Sequence, residues 1–140
     1  MKIALRTITQ LILLFLAFGA IYGGIMLIID PSGKEIGWTK DLLSGTPFSS
    51  FLLPGIILLL VNGIFPLVIF ILGIMRKSIW YLLVVLQGLI LTIWLTSEVL
   101  MNTDLYSPVM HPLFYSIALL LIFLGLYLKK FKQTQKINEK

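Results

Sequence analysis

Long runs of apolar residues, separated by short polar segments, form the dominant pattern along this chain. Four runs reach the roughly 20 residues that a helix needs to cross a bilayer. They cover residues 7–29, 51–75, 79–101 and 111–128. The first polar segment begins with Asp30-Pro31-Ser32-Gly33, a sequence typical of a turn. The pattern therefore predicts an all-α integral membrane protein, a bundle of four transmembrane helices.

The composition favours the same class. Of 140 residues, 59% are hydrophobic and only 12% are charged, whereas a soluble domain carries about twice that charged share. Cysteine is absent, which excludes disulfides, thiolate metal ligands and thiol nucleophiles. One domain is expected at this length. Residues 1–132 are assigned to the transmembrane unit, and residues 133–140 to a polar cytoplasmic tail that is expected to fray.

The basic residues predict the orientation in the membrane. Of eleven lysines and arginines, only Lys34 and Lys40 lie between the first two helices, which leaves nine beside the termini or in the 76–78 turn. Short cytoplasmic loops are enriched in Lys and Arg. Both termini are therefore predicted to be cytoplasmic, with residues 30–50 on the outer side. The same bias disfavours insertion in two opposite orientations.

The start of the chain permits a second interpretation. Lys2 and Arg6 before an apolar run resemble a signal peptide, with Ala17-Phe18-Gly19 as a tolerable cleavage site. The apolar run continues to Ile29, well beyond the length that a signal peptide needs. A retained first helix is therefore predicted.

The outer segment, residues 30–50, is rich in turn formers that favour a defined shape. Thr39 is expected to cap a short helix that ends at Gly45, and Pro47 to occupy the first position of another helix. Aromatic side chains of this segment are expected against the headgroup region. A cap over the outer end of the bundle is therefore predicted. Its assigned residues are Asp30, Pro31, Gly33, Trp38, Pro47 and Phe48.

Small and polar residues recur on single faces of the predicted helices. The first helix has two overlapping pairs of small residues, Gly19 with Gly23 and Ala20 with Gly24, which permit close contact with another helix. In the second helix, a stripe of four residues is expected to face protein and not lipid. It consists of Gly55, Asn62, Pro66 and Gly73.

The middle of the second helix concentrates polar groups. Pro66 cannot donate a hydrogen bond to the carbonyl of Asn62, so this depth presents a free backbone acceptor beside an amide side chain. Asn62 and Gln87 are expected either to bond between helices or to line a hydrophilic cavity. A direct bond between the two stays open, because their expected depths differ.

Glu98 is the one carboxylate within a predicted helix, and such residues are functional candidates. It is a candidate proton carrier, cation ligand or general acid/base. Its place near the outer end also fits a solvated side chain or an ion pair with Lys34 or Lys40. His111, the single histidine, fits a helix N-cap, or a base acting with Glu98. One histidine is too few for a metal site, and neither a metal nor another cofactor is predicted.

Several short motifs in the first half of the chain occur together in one order. They are Asp30-Pro31-Ser32-Gly33, Ile36-Gly37, Leu42-Leu43, Thr46-Pro47-Phe48 and Pro54-Gly55. This stretch resembles a family of small, uncharacterised bacterial four-span membrane proteins with a DPSG–LG–L–PF–PG first outer segment. The resemblance is firmest over residues 23–55. It implies a bacterial inner membrane and a structured outer segment, and it implies no activity.

No motif for a known chemistry is found. The chain has no phosphate-binding loop, nucleophile elbow or metal-binding histidine pair, and no basic aromatic surface for nucleic acid. The leading prediction is a non-enzymatic accessory, scaffold or lipid-binding protein. Its predicted partners are membrane lipids, a second copy of the chain or another membrane protein. The alternatives are an oligomeric transporter or channel lined at Asn62 and Pro66, and an enzyme acting on a lipid-like substrate through Glu98 and His111.

Overall fold

The computed structural model describes residues 2–138, with side chains from Ile3 to Phe131. Within this part of the chain there is no strand, and four helices are long and apolar enough to cross a membrane. This confirms the predicted all-α four-helix class. The helices are α1 (Lys2–Ile29), α2 (Leu52–Ile74), α3 (Trp80–Met101) and α4 (Met110–Asn138).

The last helix is longer than predicted. The polar tail from Gln133, which was expected to fray, is helical in its backbone through Asn138. Lysine and glutamine are good helix formers, so this segment continues the hydrogen-bonding pattern of α4. Residues 139–140 lie outside the described part of the chain.

The four helices close into a ring. α1 packs along the whole of α2, α3 packs along α4, and α1 with α4 and α2 with α3 complete the circle. One residue from each helix lies fully buried in a common core: Leu13, Ile69, Val84 and Leu121. The start of α1, the end of α4 and the turn after α2 lie at one end of the bundle, hereafter the terminal end. The opposite end, hereafter the cap end, carries residues 30–51 and 102–109.

Glycines allow α1 and α2 to approach closely. A Cβ atom built on Gly24 would lie 2.9 Å from the carbonyl oxygen of Gly55, whereas one built on Gly23 would make an ordinary 3.5 Å contact. One built on Gly19 would meet nothing within 4 Å. Small residues of this kind let helix backbones come together in membranes. Gly24, from the second small-residue pair of α1, therefore makes the tight contact, and Gly19 lies beside open space.

A second close approach joins α3 to α4. A Cβ atom on Gly88 would lie 2.6 Å from the carbonyl oxygen of Ala118, and one on Gly125 would lie 2.9 Å from that of Tyr81. The sequence-based stripes include neither Gly88 nor Gly125. Gly88 lies in α3 and Gly125 in α4. The role of each glycine as a contact point can be recognised only when the position of the other helix is known.

The middle of α2 departs from a regular α-helix. Leu58–Ile64 are π-helical, and the N–H of Phe65 donates to the carbonyl of Leu60, five residues back. This stretch ends just before Pro66, which has no N–H to donate. Single π-helical turns inside α-helices occur frequently at functional sites. The predicted stripe faces protein, because all its members are buried: Gly55, Asn62, Pro66 and Gly73.

Polar side chains join three helices at the terminal end. Gln10 donates to the carbonyl of Phe70 at 3.0 Å. Arg6 donates to the carbonyl of Gly73 and lies 5.1 Å from the ring centroid of Trp80. A Cβ atom on Gly73 would lie 2.5 Å from the side chains of Gln10 and Trp80. Gly73 therefore makes room for a polar contact and not for a second helix backbone.

The segment between α1 and α2 is a cap, and of its two predicted short helices only the one after Thr39 is formed. It holds two short 3₁₀ turns, Lys34–Ile36 and Lys40–Leu43. The side chain of Thr39 makes no capping hydrogen bond, and no helix begins at Pro47. The Thr46 hydroxyl instead donates to the carbonyl of Leu43 and accepts from the N–H of Phe48, at 2.8 and 3.3 Å. The bond from Phe48 is of the kind that caps a helix, but residues 49–51 form bends and the helix begins only at Leu52.

A small apolar cluster attaches the cap to the bundle. Phe51 is 1% exposed and packs with Leu27 and Leu43, and its ring centroid lies 5.1 Å from that of Trp38. Gly33 adopts a φ of 81°, and a Cβ atom there would lie 2.9 Å from the Phe51 ring. Glycine meets both requirements, because it tolerates positive φ and brings no side chain.

Asp30 organises the first turn of the cap. Its carboxylate accepts hydrogen bonds from the Ser32 hydroxyl at 2.6 Å, the Ser32 N–H at 3.1 Å and the Glu35 N–H at 3.2 Å. The bond from the Ser32 hydroxyl, together with those from the backbone, lowers the pKa of Asp30 below its ordinary value of 3.8.

The lowered pKa predicts that acid loosens this turn. The stabilisation from the Asp30 carboxylate is complete above pH 3.8 and is lost as the pH falls through the lower folded-state pKa. At neutral pH, Asp30→Ala is expected to speed amide hydrogen exchange at residues 32–35, read by mass spectrometry in nanodiscs. Asp41→Ala is the matched control, because this cap carboxylate accepts none of these bonds. Equal exchange in the two variants would contradict the assignment.

Candidate functional site

A cavity of about 360 Å³ lies between the helices in the half of the bundle nearer the cap. Gly19 of α1, Asn62 of α2, Glu98 of α3 and His111 of α4 all line it, and Trp38 of the cap also contributes. Most of the remaining lining side chains are apolar. The volume falls within the roughly 300–1,000 Å³ of small-molecule sites. All four helices therefore cooperate to form one ligand-sized space.

A second cavity of about 250 Å³ lies beneath the cap, against Phe48 and Phe51. It shares several lining residues with the first cavity, among them Trp38, Trp94 and Glu98. The two cavities are therefore neighbours, and the Glu98 carboxylate lies where they meet.

The first cavity opens sideways, between α1 and α4. Gly19 and Met110 line it and are also exposed on the outside of the bundle. Gly19 lies ten residues before the end of α1 at Ile29, which is about 15 Å along the axis at 1.5 Å per residue. This is about half of the roughly 30 Å hydrocarbon thickness. In a membrane-inserted bundle, an opening at this depth would face lipid chains.

The structure brings Glu98 and His111 together. Nε2 of His111 lies 3.6 Å from Oε2 of Glu98, and their side chains are 6% and 20% exposed. This distance is too long for a hydrogen bond. Among the described side chains, neither Lys34 nor Lys40 lies within ion-pair distance of Glu98. The expected lysine pairing is therefore wrong, because both lysines are on exposed turns of the cap.

The surroundings of His111 determine which ring nitrogen carries the proton of the neutral imidazole. Its Nδ1 accepts a hydrogen bond from the N–H of Ser107 at 3.1 Å, which assigns the ring proton of the neutral imidazole to Nε2, facing Glu98. His111 lies inside the first turn of α4 and is not its N-cap. The Ser107 hydroxyl accepts from the N–H of Met110 at 3.2 Å and performs that role.

A buried amide pair lies at the inner end of the cavity. Nε2 of Gln87 donates to Oδ1 of Asn62 at 3.2 Å, and the two residues are 0% and 1% exposed. The direct bond that the sequence left open is therefore formed. Asn62 also lines the cavity, so the pair both joins α2 to α3 and places a polar group at mid-depth.

Several buried polar atoms at this site have no hydrogen-bond partner among the described residues. They include Nδ2 of Asn62, Oε1 of Gln87 and Nε2 of His111. Leaving such a group unpaired costs about 1–3 kcal/mol. Asn62 and His111 line the cavity, so a molecule in that space can complete their hydrogen bonding.

The other helix residues singled out in the sequence contribute to helix packing and not to the cavities. Gly23, Gly55, Pro66 and Gly73 do not line either cavity. Sequence reasoning missed Ser107, although a serine three residues before a helix start is a recognisable cap signal. Leu105 lies in the connection between α3 and α4, and Met110 lies at the start of α4. Both were missed because this part of the sequence has no repeating pattern. The polar residues of the site were therefore predicted from the sequence, whereas several of the apolar residues that line the cavity were not.

Within the described part of the chain, no group of three or more His, Cys, Asp or Glu side chains is placed to hold a metal ion. The site is one carboxylate, one imidazole and one amide pair in mainly apolar surroundings. No family model, no curated protein and no solved structure matches this chain.

Proposed function

We propose that this protein binds an amphiphilic, lipid-like molecule, which enters the larger cavity sideways from the bilayer. One observation carries the proposal. The cavity is apolar over most of its wall, and two of its lining residues, Asn62 at mid-depth and His111 near the cap, carry buried polar atoms that lack a hydrogen-bond partner among the described residues. In this role the protein is a lipid-binding or accessory membrane protein.

The mixed wall selects for an amphiphile. A small, fully polar solute would leave the apolar side chains without contacts and would lose its own hydration. A pure hydrocarbon would leave the polar atoms of Asn62 and His111 unpaired. A molecule with an apolar chain and a hydrogen-bonding group satisfies both parts of the wall. The opening at Gly19 supports entry from lipid, where such molecules are concentrated.

The charge distribution supports a location for this activity. Of eleven basic residues, only Lys34 and Lys40 lie between α1 and α2, a distribution that favours a cytoplasmic position for both termini. The cap end, and the ligand below it, then belong to the outer leaflet. The resemblance of residues 23–55 to small bacterial four-span proteins favours the bacterial inner membrane.

An enzymatic role is a less favoured second candidate. The 3.6 Å approach of His111 to Glu98 resembles an acid–base pair. However, Nδ1 of His111 accepts from Ser107 and Nε2 carries the proton, so the neutral ring has no free basic nitrogen. A transport role is also less favoured, because Leu13, one turn below the lining residue Leu16, is fully buried.

Native mass spectrometry of protein extracted from its own membrane in mild detergent tests the binding function. The wild-type protein is expected to carry a reproducible adduct of lipid-like mass. Gly19→Leu is expected to remove it, because the new side chain projects into open space at the cavity mouth. The control is Phe18→Leu, at the preceding position of α1, where the side chain is exposed on the outside of the bundle. This variant should keep the adduct. A bare wild-type protein, or equal occupancy in Gly19→Leu, would refute the proposal.

A further inference from the structure

The polar end of the larger cavity holds a carboxylate flanked by two indole rings. We infer that the ligand bears, besides a hydrogen-bond acceptor for Asn62 and His111, a cationic group, an amine or quaternary ammonium, which Glu98 binds between Trp38 and Trp94. This inference rests on the proposed binding function and adds the class of ligand. It follows from the charge at Glu98, from the aromatic side chains around it and from the charge of the cap end.

The charge of Glu98 has no formal positive counterpart. Among the described side chains, its ion-pair contact is with His111 alone. Because Nδ1 of His111 accepts the N–H of Ser107, this imidazole is held neutral and offers only an Nε2–H. A second proton on the ring would direct an N–H against the N–H of Ser107. An ionised Glu98 therefore leaves the junction of the cavities with a net negative charge.

The aromatic residues at this junction suit a cation. Trp38 and Trp94 line both cavities together with Glu98, and Trp94 lies one turn before Glu98 on α3. Trp38 is supported from behind by the Phe51 ring at 5.1 Å. The faces of tryptophan rings attract ammonium groups, and the attraction increases where water is excluded. A carboxylate beside two indoles offers charge neutralisation, and a ring face of either indole would add this attraction.

Other ligand chemistries fit this junction less well. An anionic group would face the Glu98 carboxylate with only the neutral His111 to offset the repulsion. An uncharged group would leave the buried negative charge uncompensated. The remaining competitor is a proton on Glu98 itself, which would remove the need for a cationic ligand. The experiment below separates these cases.

The cap end as a whole also favours cations. Residues 30–51 and 102–109 carry four acidic side chains against the two basic side chains of Lys34 and Lys40, a net charge of −2. A surface of one sign raises the local concentration of oppositely charged ligands. The acidic residues of this end are Asp30, Glu35, Asp41 and Asp104.

Three probes with one dodecyl chain test the inference: dodecyltrimethylammonium, dodecanol and dodecanoate. Their binding to the purified full-length protein in a neutral detergent is measured by native mass spectrometry titration at neutral pH. The wild-type protein is expected to bind the ammonium probe about tenfold or more tightly than the alcohol, and the carboxylate most weakly. Glu98→Gln is expected to abolish the preference for the ammonium probe, and Glu98→Asp to keep part of it.

The outcomes separate this inference from the proposed function. Equal wild-type binding of the ammonium probe and the alcohol, both lost in Gly19→Leu, would overturn the cation and leave lipid-like binding intact. That result is also expected if Glu98 is protonated. No binding of any probe would refute both proposals. If Glu98→Gln does not fold, as judged by circular dichroism, Trp94→Leu decides. A retained ammonium preference in a folded Trp94→Leu protein would contradict the aromatic contribution.

Discussion

Replacing Gly88 with alanine is expected to destabilise the folded bundle by about 1–3 kcal/mol. The added methyl group would lie 2.6 Å from the carbonyl oxygen of Ala118 and 2.7 Å from the side chain of Ile122. A backbone oxygen cannot rotate away as a flexible side chain can, so α3 and α4 must separate. This separation would loosen the contact that runs along α3 and α4.

Alanine has the higher helix propensity, so the expected loss is a net effect. In a helix interior, glycine is less favourable than alanine by about 1 kcal/mol. The same substitution at Gly19, where nothing lies within 4 Å of the new methyl group, should therefore leave the protein equally stable or more stable. The contrast between Gly88→Ala and Gly19→Ala isolates the packing cost from the propensity gain.

Reversible unfolding in mixed micelles, followed by circular dichroism, measures both variants. Gly125→Ala provides an independent check, because its methyl group would approach the carbonyl oxygen of Tyr81 at 2.9 Å from the opposite helix. Gly88→Ala and Gly125→Ala are expected to fall below the wild-type stability, and Gly19→Ala is not. Equal stabilities for Gly88→Ala and Gly19→Ala would show that α3 and α4 do not approach as described.

Replacing Phe51 with alanine is expected to lower the free energy of opening the cap by about 3–5 kcal/mol. Phe51 is 1% exposed, packs with Leu27 and Leu43, and supports the ring of Trp38. The cluster around it is small and joins the cap to the bundle, so its loss has nothing nearby to compensate it. We expect residues 30–51 to open while the four helices stay folded.

Hydrogen exchange by mass spectrometry in nanodiscs distinguishes this local opening from global unfolding. In Phe51→Ala, exchange should accelerate across the cap and stay slow in the buried centre of α3. Phe48→Ala, which removes a partly buried ring of the same cap, should give a smaller acceleration. Ammonium binding should also weaken in Phe51→Ala, because Trp38 loses its support. A cap as protected in Phe51→Ala as in the wild type would disprove the role of this cluster.

The elements that follow local rules were predictable from the chain. Helix number and approximate bounds follow from apolar runs that match the bilayer thickness. The spacing of Gly55, Asn62, Pro66 and Gly73 predicted a protein-facing stripe, and all four are buried. The cap was predicted as a unit, and the short helix expected after Thr39 is a 3₁₀ turn at Lys40–Leu43. No helix begins at Pro47, although the Thr46 hydroxyl accepts the N–H of Phe48 as a helix cap would.

The sequence by itself determined the class of protein, the four helices and the polar residues available for a site. Apolar length and periodicity are local properties of each segment, and backbone hydrogen bonding turns them directly into helices. Only the tertiary structure decided that Gly24 and Gly88 make contacts while Gly19 borders a cavity. It also decided that Glu98 meets His111 and not a lysine. These outcomes depend on how each helix is rotated against its neighbours, and packing across the whole bundle sets that rotation.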